Sequence, residues 1–382
     1  MRNLCPIANP NSSVNEKFSR LPDLSPTRFL WRNPADWRDR RVRTDQRVVY
    51  RFSHGRSALR LGLEILGLGP GDRVLIPDFI CDVAVDPLRD LGIEPVFYEI
   101  SRELKPDWEA LHRASDSSVK ALFMIHYFGQ PQDVEKFRTF SREHEQLLIE
   151  DNCHGWGALA PNGQPLCSFG DIGISSPRKV LPILNGGTLE VSVEKNPHLD
   201  SQPNNAPFGA IRNLIKSTAR ELLSPFPPLL NRIRSPQPYH IQDAFKDEEI
   251  PRWSMDRKSL EILESTDFGK VAGTRREIYS IWNDWLNPSN LEPVFKESAA
   301  GASPLLFPAW APSEKIRNQW FDWGFANRID VHSWPTLPAE LVTESGNASE
   351  LWKHLVCFPI HQEMNPDRLK RKLAPLASNP LP

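Results

Sequence analysis

Leu147-Leu148-Ile149-Glu150-Asp151-Asn152-Cys153-His154 runs from an unbroken aliphatic triplet straight into two carboxylates. A short apolar run without polar alternation reads as a strand buried on both faces, the mark of a parallel sheet covered by helices. Working outward, Val119 to Ile125 and Val74-Leu75-Ile76-Pro77 give the same pattern, as does Pro95 to Ile100. Helical stretches separate these runs: Arg56 to Leu66, Val83 to Leu91, about 107 to 114, and Val134 to His144. Strands alternating with helices of this length imply right-handed βαβ crossovers and a mainly parallel α/β sheet. Ligands in such sheets collect beyond the carboxyl ends of the strands, and Asp151 is expected just past one of them.

At 382 residues the chain exceeds the size that one core usually serves, so a second, smaller domain is expected. Residues 1–45, rich in Pro, Asn, Ser and Arg, read as an irregular arm lying over a partner subunit. Residues 46–250 form the large α/β domain and residues 251–382 a small C-terminal α+β domain. Within these, a helix-like stretch spans Ile211 to Leu223, a long amphipathic helix surrounds Thr274 to Trp282, and strands fall at Ser303 to Pro308 and Leu355 to Pro359, with a helix between at about 313 to 324.

Charged residues make up 25% of the chain and the formal net charge is −2, with both signs interspersed, which gives no basis for a nucleic-acid or membrane-surface protein. The five cysteines, Cys5, Cys81, Cys153, Cys167 and Cys357, include no C-x-x-C pair that would suggest zinc or redox chemistry, and they fit a reducing compartment. The N-terminus lacks the apolar run of about 7–15 residues of a signal peptide. A soluble, cytoplasmic protein is expected.

Three pieces carry chemistry. His54-Gly55-Arg56-Ser57 opens an apolar helix, where free N–H groups favour a phosphate, although Ser57 or Ser53 acting as a simple helix cap is the commoner use of such residues. Asp151, at the edge of an apolar strand, needs a cation, and a protonated ring nitrogen would serve; a helix cap or an ordinary ion pair is the bland alternative. His154 follows three residues later and either contacts a bound ring or packs beside Trp156. Lys179, in Ser175-Ser176-Pro177-Arg178-Lys179 and closed by Asn185-Gly186-Gly187, offers an amine for an aldehyde, with Ser175 and Ser176 as further hydroxyl donors. Taken singly each is weak. In this order they fit pyridoxal 5'-phosphate (PLP), which needs an amine for its aldehyde, a carboxylate for its ring nitrogen and a helix N-terminus for its phosphate.

From about Phe52 to Glu190 the chain resembles the DegT/DnrJ/StrS family of PLP-dependent sugar aminotransferases of fold type I. The resemblance runs through Gly55-Arg56-Ser57-Ala58-Leu59, Gly67-Leu68-Gly69-Pro70-Gly71-Asp72, His126-Tyr127-Phe128-Gly129-Gln130-Pro131, Glu150-Asp151-Asn152-Cys153-His154-Gly155, Gly170-Asp171, and Lys179 with Gly186-Gly187. It implies Lys179 as the Schiff-base lysine, Asp151 as partner of the pyridine nitrogen, His154 as a ring or O3′ contact, and Gly55, Arg56 and Ser57 as phosphate ligands. It further implies a homodimer, each site completed by the other chain, moving an amino group from glutamate or glutamine to a keto-sugar nucleotide. The chain departs from the family at Cys81, where an aromatic usually stacks on the ring. Ile174 stands where the family places a serine, so Ser175 or Ser176 is expected in that role. The Asn-Tyr-Arg segment that members lend to the partner's site has no match.

Two alternatives stay open. One keeps the cofactor and eliminates or dehydrates a sugar, but relatives of that type carry histidine in place of the lysine. The other is a non-catalytic sensor or regulator on the same fold. Trp334, Trp310, Tyr239 and Arg328 are candidates for an acceptor pocket, set against the commoner use of such residues in cores and interfaces.

Overall fold

The computed structural model describes residues 18–19, 42–43, 47–193, 250–251, 253–342, 345–378 and 382. The N-terminal arm falls almost wholly outside them, as do the stretch Ile211 to Leu223 and Tyr239.

The chain enters through β1 (Val42–Arg43) and β2 (Arg47–Phe52), then α1 (Gly55–Ile65), β3 (Arg73–Pro77), α2 (Asp82–Asp90) and β4 (Glu94–Tyr98). It continues through α3 (Trp108–Ala114), β5 (Val119–Ile125), α4 (Val134–Glu143), β6 (Leu147–Asn152), β7 (Ile172–Ser175) and β8 (Gly187–Ser192). These eight strands form one sheet in the order β1-β2-β8-β7-β6-β5-β3-β4. Strands β4, β3, β5, β6 and β7 run parallel, while β8 is antiparallel to both β7 and β2. The parallel strands carry the aliphatic runs, and β5 and β6 are buried almost throughout. Strand β6 extends three residues beyond its aliphatic triplet, so Asp151 lies within the strand, paired with Ile125 and Ile174, rather than beyond its end.

Helix α1 shows how sequence sets packing. Its buried positions Gly55, Ala58, Leu59, Gly62 and Leu63 recur at helical spacing and form one face. Gly62 lets that face approach the sheet, since a Cβ there would come within 2.5 Å of Ile172 Cδ1.

The remainder comprises α5 (Arg257–Ser265), α6 (Phe268–Leu286), β9 (Glu292–Pro293), β10 (Leu306–Trp310), α7 (Glu314–Ala326), α8 (Asn347–His354), β11 (Leu355–Pro359) and α9 (Pro366–Leu373). Strands β11, β10 and β9 form a second, antiparallel sheet. The period of two sorts its residues between two cores. Leu306, Trp310, Leu355 and Cys357 face the core of the large sheet, whereas Phe307, Ala309, Val356 and Phe358 join Trp282 and Trp320 in a separate cluster. No helix among the described residues is long and apolar enough to cross a membrane.

Candidate active site

A cavity of about 70 Å³, open to solvent, lies at the carboxyl ends of the parallel strands. Its lining brings together Gly55, Arg56, Cys81, Asp151, His154, Ser176 and Lys179, which come from segments far apart in the chain. Of the expected site residues, Ser57 and Ser175 do not line it. Ser175 Oγ instead lies 2.6 Å from Thr188 Oγ1, closing a buried bond between β7 and β8.

The N-terminus of α1 forms one wall. His54 is the N-cap residue and makes no side-chain cap bond, so neither Ser53 nor Ser57 caps the helix. The first intrahelical bond is from Ala58 N–H to the His54 carbonyl, which leaves the N–H groups of Gly55, Arg56 and Ser57 ahead of the ladder. Two glycines let this helix end pack closely on its neighbours. A Cβ on Gly55 would sit 3.1 Å from Cys153 Sγ, and one on Gly187 would fall 2.2 Å from the carbonyl carbon of His54.

Asp151 forms the floor. It is 6% exposed, and its oxygen Oδ1 accepts from the Cys153 N–H at 2.7 Å. Burial raises the pKa of its carboxyl, an effect that the charge of Lys179 opposes. A buried carboxylate with a main-chain partner and no ion pair among the described residues is suited to meet a cationic N–H.

His154 is buried beside it. The N–H of Phe128 donates to His154 Nδ1 at 3.2 Å, so the neutral ring carries its proton on Nε2. Burial first, and the charge of Lys179 second, hold this imidazole well below its ordinary pKa. Its ring stacks against Phe128 at 5.8 Å and meets the edge of Trp334 at 4.6 Å. It does not pack on Trp156, whose ring instead meets Phe268 at 4.2 Å.

Lys179 ends a single turn, Pro177–Lys179, that follows β7. The Lys179 N–H donates to the Ser176 carbonyl at 2.9 Å, and the N–H groups of Val180 and Leu181 both donate to the Pro177 carbonyl. Ser176 Oγ reaches the Gly186 carbonyl at 3.5 Å, tying the turn to the glycine pair.

Cys81 is the N-cap residue of α2, and burial raises its thiol pKa while Lys179 lowers it. Asp82 N–H donates to the Thr336 carbonyl at 2.8 Å, which seats the segment carrying Trp334 over this helix end and against the cavity. Of the acceptor-pocket candidates, Trp334 lines the cavity. Trp310 instead donates from its indole to the Arg102 carbonyl, and Arg328 lies beyond α7 with its carbonyl bonded to Phe18 N–H. Arg178, His54, Ile80, Val83 and Cys153 also line the cavity and have no sequence pattern that singles them out.

Over residues 44–201 the chain matches the model of the DegT/DnrJ/EryC1/StrS aminotransferase family, which bears out the resemblance read from the motifs. Among similar proteins, GDP-perosamine synthase of Vibrio cholerae is 36% identical over 121 residues, covering 31% of this chain and 33% of that protein. The dTDP-4-dehydro-2,3,6-trideoxy-D-glucose 4-aminotransferase of Saccharopolyspora spinosa is 33% identical over 145 residues, 37% of each. The chain thus spans little more than a third of the length of these curated relatives. Among solved structures, the aminotransferase TlmJ from Streptoalloteichus hindustanus has a TM-score of 0.62 at 20% identity, covering 86% of this chain and 85% of that one. The PLP form of the sugar aminotransferase Spr1654 from Streptococcus pneumoniae gives 0.62 at 16% identity, with 87% and 86% covered. The fold is that of the PLP-dependent transferases of fold type I.

Proposed function

We propose that this protein is a PLP-dependent aminotransferase that moves an amino group from glutamate or glutamine to the carbonyl of a keto-sugar nucleotide. The observation that carries the reading is the meeting of Lys179, buried Asp151 and the N-terminus of α1 in one cavity. A buried carboxylate without an ion pair among the described residues suits PLP. When bound, PLP supplies an aldehyde for the amine and an electron sink that acidifies the Cα–H of the donor.

The chain's own groups do the rest. The N–H groups of Gly55, Arg56 and Ser57 would take the phosphate at the positive end of α1. Asp151 would hold a ring nitrogen protonated. The Nε2–H of His154 would be available to the ring as a donor. Lys179 would hold the aldehyde and serve as base for the Cα proton of the donor. Ile80, Val83, Ala84 and Leu59 exclude water from one side.

The sugar-nucleotide acceptor rests on the names of the curated relatives, and Trp334 offers an aromatic surface for a sugar ring. We also read the protein as a cytoplasmic homodimer; the four described cysteines are free, in keeping with a reducing compartment. Retention of Lys179 speaks against the dehydratase alternative.

The test is the absorption spectrum of the purified protein with added PLP, before and after excess glutamate, alongside Lys179→Ala. A visible band that glutamate bleaches in the wild type and that is missing in the variant supports the reading. Absence of the band in the wild type returns the sensor alternative to the front.

A further inference from the structure

Arg275, on α6, is wholly buried and has no carboxylate bonded to it among the described residues. Its guanidinium is surrounded by oxygen atoms of neutral groups. Nη1 donates to the carbonyls of Pro304 at 2.8 Å and Ile360 at 3.2 Å, Nε donates to Gln362 Oε1 at 3.0 Å, and Nη2 donates to the Val180 carbonyl at 3.2 Å. Gln362 in turn donates from Nε2 to the same Val180 carbonyl at 3.0 Å. Both donors therefore converge on the carbonyl of the residue that follows Lys179.

A buried cation without an anion is costly, and an aliphatic side chain of similar volume would fill the space at less cost in stability. The cost shows in the guanidinium, which burial pushes down to a pKa of about 9. What the arginine does that an aliphatic side chain could not is hold carbonyls. The turn Pro177–Lys179 is too short to satisfy its own trailing carbonyls, and its inner bonds use only the Ser176 and Pro177 carbonyls. The Val180 carbonyl is met from the C-terminal half of the chain instead.

We propose that Arg275 and Gln362 form a clamp on the Val180 carbonyl that sets the position of Lys179, and that proton transfer by Lys179 depends on this clamp. The proposal rests on the reading of Lys179 as the amine that holds the cofactor. Arg275 and Gln362 are positioning residues, since neither lines the cavity. The clamp also ties the lysine turn to the segments that begin β10 and follow β11, so the order of the C-terminal sheet is felt at the reacting amine.

The test uses the full-length protein with PLP and the variants Gln362→Leu, Arg275→Met and Arg275→Lys. Three quantities are read: the visible circular dichroism of the bound cofactor, the single-turnover rate constant with glutamate, and the glutamate concentration at half-saturation. Both Gln362→Leu and Arg275→Met are expected to form the visible band with weakened dichroism and a rate constant lower by about ten-fold, as small misplacements of a reacting group produce, with half-saturation unchanged. Arg275→Lys is expected to recover part of the rate. Where Arg275→Met does not fold, Gln362→Leu, which leaves the buried cation in place, carries the decision alone. Wild-type dichroism and rate in folded variants overturn the clamp. Absence of a visible band in the wild type overturns the cofactor reading and the clamp with it.

Discussion

Nε2 of His126 meets Oε1 of Glu150 at 3.0 Å, with both side chains wholly buried. The Glu150 carboxylate also accepts from the N–H groups of Cys167, Phe169 and Gly170, and His126 Nδ1 accepts from Gln132 N–H. Burial alone would raise the carboxyl pKa, but His126 and these N–H groups together hold it below the usual range. The pair sits one residue before Asp151 on β6 and at the end of β5, so it fixes both strand ends beneath the cavity. Glu150→Gln places an amide N–H₂ among N–H donors. It is expected to lower the unfolding free energy by about 3 kcal/mol, the scale seen when one partner of a buried pair is removed, read from the urea midpoint.

Asp151→Asn keeps an acceptor for Cys153 N–H but removes the charge that would hold a ring nitrogen protonated. The variant is expected to bind PLP and show the visible band, yet lose about a hundred-fold or more in single-turnover rate with glutamate, the usual scale for loss of one preorganised electrostatic group. A rate within three-fold or so of wild type would remove Asp151 from the role assigned to it.

Asp78 follows the last residue of β3 and accepts from Ile100 N–H and from the Asn347 side chain. Burial outweighs these bonds and raises its pKa to about 6. The folded form thus binds a proton more tightly than the unfolded chain, so this group's contribution to stability is full below about pH 4 and is lost as pH rises to about 6. The change amounts to roughly 3 kcal/mol. Asp78→Asn is expected to flatten this part of the stability profile, measured as the difference in urea midpoint between the two proteins from pH 4 to pH 7.

Gly129 has φ +79°, and a Cβ there would fall 2.1 Å from the Ser303 carbonyl oxygen and 2.9 Å from that of His154. Ser303 N–H also donates to the Gly129 carbonyl, so the two backbones cannot part without breaking that bond. Gly129→Ala is expected to cost about 3 kcal/mol or more, combining backbone strain with displacement of packed main chain. Thermal denaturation would show it as a drop in melting temperature that adding PLP does not restore.

The strands β3, β5, β6 and β11 were legible because each is a short aliphatic run between turn residues, and their alternation with helices gave the parallel sheet. Strands β7 and β8 were not, because β7 is four residues long with a glycine inside and β8 begins on a glycine pair. The order of turn, aspartate and lysine located the cavity, since each lies at or near the carboxyl end of a strand. The hydroxyls were harder to place. Ser175 and Ser176 are adjacent, and in a strand neighbouring side chains face opposite ways; Ser175 bonds across to Thr188 while Ser176 faces the cavity. Long-range partners such as Arg275 with Val180 left no local pattern, because nothing in a helix marks which distant carbonyl its arginine will meet.

Phe52 and Gly187 are paired at one end of the β2–β8 ladder, where one strand ends and the other begins. Helix α1 starts three residues after the first of these, and the second closes the loop that carries Lys179. The span between the two ends of the site is thus measured in whole residue pairs along one antiparallel ladder. Side chains around the cavity can be exchanged without changing that span, so substrate preference is open to gradual drift by point substitution. A single deletion in either strand would instead move the start of α1 and the Lys179 loop out of step at once.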